Sequence, residues 1–158
     1  MISVYLFDWG DTLMVDFPDS TGKMCEWETV QAVSGAKEAL AILSKTAQVY
    51  IATGAVDSTE LEIQQAFKRV GLSQFISGYF CKANTGISKG TPEFLNTIIG
   101  KLNVLPVNVA MVGDSFEKDI KPAVAFGIQA IWFSKNNTEP VPDNVKVIKQ
   151  LSELYCSN

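Results

Sequence analysis

Residues 2–13 read Ile2-Ser3-Val4-Tyr5-Leu6-Phe7-Asp8-Trp9-Gly10-Asp11-Thr12-Leu13, a mostly apolar run that ends abruptly in an acid, a glycine and a hydroxyl. The apolar part does not alternate with polar residues. It therefore predicts a strand covered on both faces, as in parallel sheets sandwiched between helices. The same pattern recurs at Gln48–Ala52, Val109–Val112 and Ile128–Phe133, and more weakly at Gly78–Cys81 and Val145–Ile148, which suit sheet edges. Longer amphipathic stretches separate these runs, and that alternation predicts an α/β chain with a mostly parallel sheet.

The intervening stretches carry helix signals. Ala36–Lys45 places Ala39, Leu40 and Leu43 on one face. Asp57-Ser58-Thr59-Glu60 has capping-box spacing ahead of a helix that stops near Gly71. Thr91-Pro92-Glu93 offers an N-cap, a proline at the first helical position and an acid in the first turn, followed by Phe94, Leu95, Ile98, Ile99 and Leu102 at helical spacing. A last helix is expected from about Asp119 to Gly127. Residues 9–34 show no long period and read as a flap, and residues 1–158 together read as one domain.

Composition removes whole classes of chemistry. The 158 residues contain no histidine, which excludes Ser-His-Asp and Cys-His catalysis, histidine-ligated metals and imidazole pH switching. Seventeen acids against 13 basic residues, with Arg69 as the single arginine, give no basic stripe for nucleic acid. Cys25, Cys81 and Cys156 are scattered without a CxxC pair, so they read as small buried or half-buried thiols rather than a disulfide framework or zinc site. The chain shows neither a charged leader with a cleavage site nor an apolar run near the roughly 20 residues that span a bilayer, so a cytoplasmic protein with no membrane partner is expected.

Ligands of parallel sheets bind beyond the carboxyl ends of the strands. Asp8 follows the first strong run, Thr53-Gly54 the second and Gly113-Asp114-Ser115 the third, while Lys89 stands just before the Thr91 cap. Singly, such residues are ordinary turn and cap residues. Jointly they put two acids, a hydroxyl and a lysine on one rim. A nucleotide P-loop at Ile87-Ser88-Lys89-Gly90-Thr91 is set aside, because its Gly-Lys order is reversed.

In this order FDWGDTL, VYIATG, Lys89 with Pro92 and Phe94 beyond it, and VGDSFEKDI resemble the four motifs of the haloacid dehalogenase-like hydrolase superfamily, over residues 2–154. The resemblance implies a three-layer α/β sandwich with a parallel, Rossmann-like sheet and helices on both faces. It also implies a magnesium-dependent phosphohydrolase acting through an aspartyl-phosphate, with Asp8 as nucleophile and Thr53, Gly54 and Lys89 on the phosphoryl group. By the same resemblance magnesium is held by Asp8, Asp114 and the Gly10 carbonyl, and Asp119 supports Lys89 or a metal-bound water. The chemistry suits the residue types: a carboxylate attacks phosphorus in line, a hard cation takes oxygen ligands, and a lysine neutralises developing charge.

One position departs from the pattern. Phosphatases of this superfamily carry an aspartate two residues after the nucleophile, which protonates the leaving oxygen and later activates water, whereas this chain has Gly10. Such acid–base help is worth about 10²–10⁴-fold in rate. Three readings follow. The first is a phosphatase drawing its acid from Asp11 or the flap, although on a helical turn Asp11 would point about 100° away. The second is a phosphonatase-like hydrolase, with Lys23 as a weak stand-in for the Schiff-base lysine. The third is a weakly active or non-catalytic phosphate-binding regulator. Trp9, next to the nucleophile, is expected to contact substrate. Only 45 positions separate Asp8 from Thr53 and 36 separate Thr53 from Lys89, too few for a folded cap. An open site for a phosphorylated small molecule or a larger phosphorylated substrate is expected, unless a second copy covers it.

Overall fold

Six strands form one all-parallel sheet in the order β3-β2-β1-β4-β5-β6. The computed structural model describes residues 1–156, so the last two residues of the expected domain lie outside the described residues. The strands are β1 (Val4–Phe7), β2 (Gln48–Ala52), β3 (Gly78–Phe80), β4 (Val109–Gly113), β5 (Gln129–Phe133) and β6 (Val145–Ile148). All six predicted runs are strands, and the two weaker ones are the sheet edges.

The helices are α1 (Ala36–Leu43), α2 (Glu60–Arg69), the short α3 (Lys82–Thr85), α4 (Pro92–Leu102) and α5 (Lys121–Phe126). Strand residues of opposite parity feed two separate cores. Phe7, Val49, Ile51, Ala110 and Val112 pack with Leu40 of α1 and Ile63 and Phe67 of α2. Val4, Leu6, Val109 and Met111 pack with Phe94, Leu95 and Ile98 of α4 and Ala123 of α5. This is the three-layer sandwich, and the absence of alternation in the strand sequences follows from it.

Two helix starts differ from expectation. Helix α2 is capped by Thr59 rather than Asp57: Thr59 Oγ1 accepts from the Glu62 N–H at 3.3 Å and Glu62 accepts from the Thr59 N–H at 2.9 Å. The Ser58 hydroxyl is instead turned to Asp57 at 3.0 Å, which takes that pair out of the helix. The last helix begins at Ser115, not near Asp119, because the Ser115 hydroxyl accepts from the Lys118 N–H and a π-helical turn over Phe116–Ile120 leads into α5. Gly127 ends α5 at φ 89°, as expected of a left-handed C-terminal glycine.

Sheet register brings the strand ends together. Phe7 pairs with Ile51 on one side and with Val112 on the other, so Asp8 emerges between Ala52 and Gly113. The chain leaves β1 for β2 and β3 on one side and returns to β4 on the other, which makes β1 the switch point of the sheet. No separate cap domain interrupts the described residues. Residues 9–34 form the expected flap, held by bridges between Gly10 and Met14 and between Met14 and Ala32, with one 3-10 turn over Met24–Glu26. No helix of the described residues is long and apolar enough to cross a membrane.

Candidate active site

Asp8 is anchored as if it were one more strand residue, its N–H donating to the Val112 carbonyl at 2.9 Å. Its side chain projects beyond the sheet and meets Lys89, which enters from the turn before α4. The Lys89 Nζ donates to Asp8 Oδ1 at 2.7 Å and to the Ala52 carbonyl at 2.8 Å, and lies 2.5 Å from Asp119 Oδ1. The ammonium thus donates two hydrogen bonds and is ion-paired with a third oxygen, on a side chain that is 5% exposed. Burial acts against the ammonium, but the Asp8 and Asp119 carboxylates carry its pKa above the ordinary lysine value. Burial likewise pushes Asp8 up, and the Lys89 charge together with its hydrogen bonds outweighs this and holds Asp8 below the usual range.

Asp119 reaches this centre from the π-helical turn. One oxygen pairs with Lys89 and the other accepts from the Ser115 N–H at 3.0 Å. Asp119 is therefore placed to position Lys89, and its buried Oδ1 receives no hydrogen bond beyond that ion pair. Asp114 faces Asp8 from the end of β4. Burial and the facing Asp8 carboxylate push its carboxyl up to about 7. Thr12, fully buried, spans the two acids, with Oγ1 3.2 Å from Asp8 Oδ2 and 3.4 Å from Asp114 Oδ1. One oxygen from each of Asp8, Asp114 and Asp119 falls within 4.8 Å of the others. Carboxylates crowded until one resists ionising suit a hard divalent cation, and Asp8, Asp114 and Asp119 are the acids that could hold it.

Thr53 is 4% exposed, and its hydroxyl accepts from the Ala55 N–H at 3.1 Å, which leaves the O–H proton free to donate toward the cleft. Gly54 lies beside it against Lys89, where a Cβ would stand 3.6 Å from the lysine side chain. The cleft has a volume of about 440 Å³, and Asp8, Thr53, Gly54, Lys89, Asp114 and Asp119 all line it. Sequence reasoning places the first five on one rim, and the family resemblance adds Asp119.

Other expected residues are placed differently. The Trp9 indole is a core side chain, 5% exposed, packed on Phe67 at 5.9 Å between ring centroids and donating to Met14 Sδ. The N–H groups of Thr12, Leu13 and Met14 converge on the Trp9 carbonyl, and the ring packs inward from this tight turn, while Trp9 also lines the cleft. Asp11 lines the cleft, with one carboxylate oxygen taken up locally. Its backbone is left-handed at φ 60° and its carboxylate accepts from the Asp16 N–H at 3.0 Å. The Gly10 carbonyl accepts from no donor among the described residues, as a carbonyl available to a cation would. Lys23 is ion-paired with Glu62 at 2.6 Å and is absent from the cleft lining, so it does not serve as a Schiff-base lysine. Of the three thiols, Cys156 is exposed rather than buried, and all three are free.

Four contributors escaped sequence reasoning: Thr12, Asp16, Trp27 and Lys118. Thr12 is buried against both acids, and the other three line the cleft. Thr12 lay inside a quoted motif and could have been found there. Asp16, Trp27 and Lys118 carry no local signal. Burial, together with the charges of Asp11 and Asp8, pushes the Asp16 carboxyl up.

Comparison with known proteins agrees with this geometry. The chain is 27% identical over 131 residues to the HAD-hydrolase YfnB of Bacillus subtilis (strain 168), an alignment covering 79% of this chain and 53% of that protein. It is 31% identical over 65 residues to a phosphoserine phosphatase of Thermus thermophilus, covering 41% and 26% of the two. The chain thus spans about half the length of YfnB. Among solved structures, an uncharacterized protein from Listeria monocytogenes serotype 4b superposes with TM-score 0.82 at 19% identity, over 97% of this chain and 94% of that one. Magnesium-bound YfnB superposes with TM-score 0.77 at 18% identity, over 98% and 97%. The model of the family described as "Hydrolase: haloacid dehalogenase-like hydrolase" matches residues 10–127, which hold β2, β3 and β4 and the motifs at Thr53, Lys89 and Asp114, and the chain belongs to that family.

Proposed function

We propose that the protein is a magnesium-dependent phosphohydrolase that cleaves a phosphate monoester through a phosphoryl group carried on Asp8. The observation that carries this reading is the fixed pair at the switch point: an ionised Asp8 held 2.7 Å from a fully coordinated Lys89. Asp8 attacks phosphorus as an anion, because its proton is held off by the lysine charge. Lys89, already positioned by Asp119 and the Ala52 carbonyl, neutralises charge on the transferring oxygens without reorganising. The Thr53 hydroxyl donates to another of those oxygens. Water then attacks the phosphoryl group and releases Asp8.

Asp8 and Asp114 would hold a magnesium ion, which would supply the Lewis acidity that lets a carboxylate approach a phosphate dianion. The Bacillus subtilis relative is described as bound to magnesium, and the Thermus thermophilus relative is a phosphoserine phosphatase, which supports the metal and the reaction class.

The test is hydrolysis of 4-nitrophenyl phosphate and a panel of phosphometabolites by wild type and Asp8→Asn, in magnesium and in EDTA. We expect magnesium-dependent turnover in wild type. The variant should lose both turnover and any covalent phosphoryl adduct seen by mass spectrometry. No magnesium-dependent turnover of any substrate by wild type would leave the phosphate-binding, regulatory reading in its place.

A further inference from the structure

Cleavage of a phosphate ester needs a proton for the departing oxygen, and most cleft groups are committed elsewhere. Lys89 is held by Asp8, Ala52 and Asp119, and Asp114 faces Asp8 at the acidic cluster that would hold the cation. Asp119 pairs with Lys89 and the Ser115 N–H, Asp11 accepts from a backbone N–H, and Asp57 accepts from the Ser58 hydroxyl. One cleft-lining carboxyl stands apart. Asp16 has no side-chain hydrogen-bond partner among the described residues and is open to the cleft.

Its location is specific. A Cβ built on Gly10 would stand 3.3 Å from Asp16 Cβ, 3.6 Å from its Cγ and 3.5 Å from Oδ2, so the Asp16 carboxyl lies in contact with the place from which a side chain two residues after Asp8 would extend. Two backbone features bring it there. The left-handed Asp11 reverses the chain after Gly10, and its carboxylate receives the Asp16 N–H at 3.0 Å.

The geometry points to Asp16 as the catalytic residue that exchanges protons with the leaving group and the attacking water, in place of a side chain at position 10. In the first step the Asp8 oxygen bonds to phosphorus, the ester P–O bond breaks, and the departing alkoxide or phenoxide takes the Asp16 proton. In the second, water bonds to phosphorus and gives a proton to the Asp16 carboxylate, and the bond to Asp8 breaks. Inorganic phosphate leaves, with Asp8 ionised and Asp16 protonated as at the start. This assignment rests on the phosphohydrolase reading above.

The experiment measures kcat/KM, which reports events up to release of the phenol, for substituted phenyl phosphates from 4-nitrophenyl to unsubstituted phenyl. Wild type, Asp16→Asn and the exchange variant Asp16→Ala/Gly10→Asp are compared. For Asp16→Asn we expect a small loss with the nitrophenyl ester and a loss of about 10²–10⁴-fold with phenyl phosphate. The exchange variant should recover most of that loss. An equal loss across the series, or less than threefold loss with phenyl phosphate, overturns the assignment while leaving the phosphohydrolase reading intact. Absence of magnesium-dependent turnover in wild type removes both.

Discussion

The Asp119 carboxylate lies over the Cα of Gly113, in the volume that any Cβ there would occupy. That overlap is what lets a residue of the π-helical turn reach back to the strand end, receive the Ser115 N–H and pair with Lys89. Gly113→Ala should therefore displace Asp119. We expect a destabilisation of about 1–3 kcal/mol, as for other overpacked sites, together with at least a tenfold fall in kcat/KM. Urea denaturation and steady-state kinetics measure both, and a variant unchanged in either respect would show that Asp119 tolerates relocation.

Removing the lysine leaves buried carboxylates without a counter-charge. Lys89→Met should cost about 3–5 kcal/mol, the range for breaking a buried pair from one side. Adding Asp119→Asn removes one of the orphaned charges, so the double variant should be more stable than Lys89→Met alone. A double variant less stable than the single one would contradict the pairing.

Asp114 predicts a pH dependence of opposite sign to that of an ion-paired acid. Its folded-state pKa of about 7 lies above its ordinary value of 3.8, so its ionisation opposes folding. The stability it permits is fully present below the ordinary value and is lost as pH rises through about 7. Asp114 is exposed, and solvent screening cuts the effect to roughly 1 kcal/mol, so in EDTA at pH 8 Asp114→Asn should raise Tm by about 2–4 °C. Near pH 4 the two proteins should melt together. A thermal scan at both pH values decides the matter.

Glu62 behaves in the ordinary sense. Its bond from Lys23 and the Thr59 N–H lower its pKa from 4.5 to about 2. It stabilises above the ordinary value, and the contribution fades as pH falls through about 2. Glu62→Gln should melt lower than wild type at pH 6 and match it near pH 2. At neutral pH, limited proteolysis should cut the variant faster within the Lys23–Glu28 segment of the flap.

Arg69 fastens the same flap by donating to the carbonyls of Trp27 at 2.6 Å, Cys25 at 3.2 Å and Glu28 at 3.3 Å. A lysine cannot reproduce this fork. Arg69→Ala and Arg69→Lys should both raise KM several-fold, since Met24 and Trp27 line the cleft, while kcat changes little. Equal KM values in all three proteins would show that the flap does not touch substrate.

The sequence by itself determined the parallel sheet, because runs that are apolar at both parities have no stable home except between two helix layers. It also located Asp8, Thr53, Lys89 and Asp114, since each stands next to a strand end or helix cap whose position local pattern reveals. What these side chains do to one another was decided only by tertiary structure. The Asp8–Lys89 contact joins residues 81 positions apart, and Asp119 earns its role from the missing Cβ of Gly113. Trp9 turns inward because three N–H groups close on its carbonyl, and Asp16 lies over Gly10 because Asp11 takes a left-handed conformation. Side-chain direction and pairing depend on atoms brought close by folding, and periodicity along the chain does not encode them.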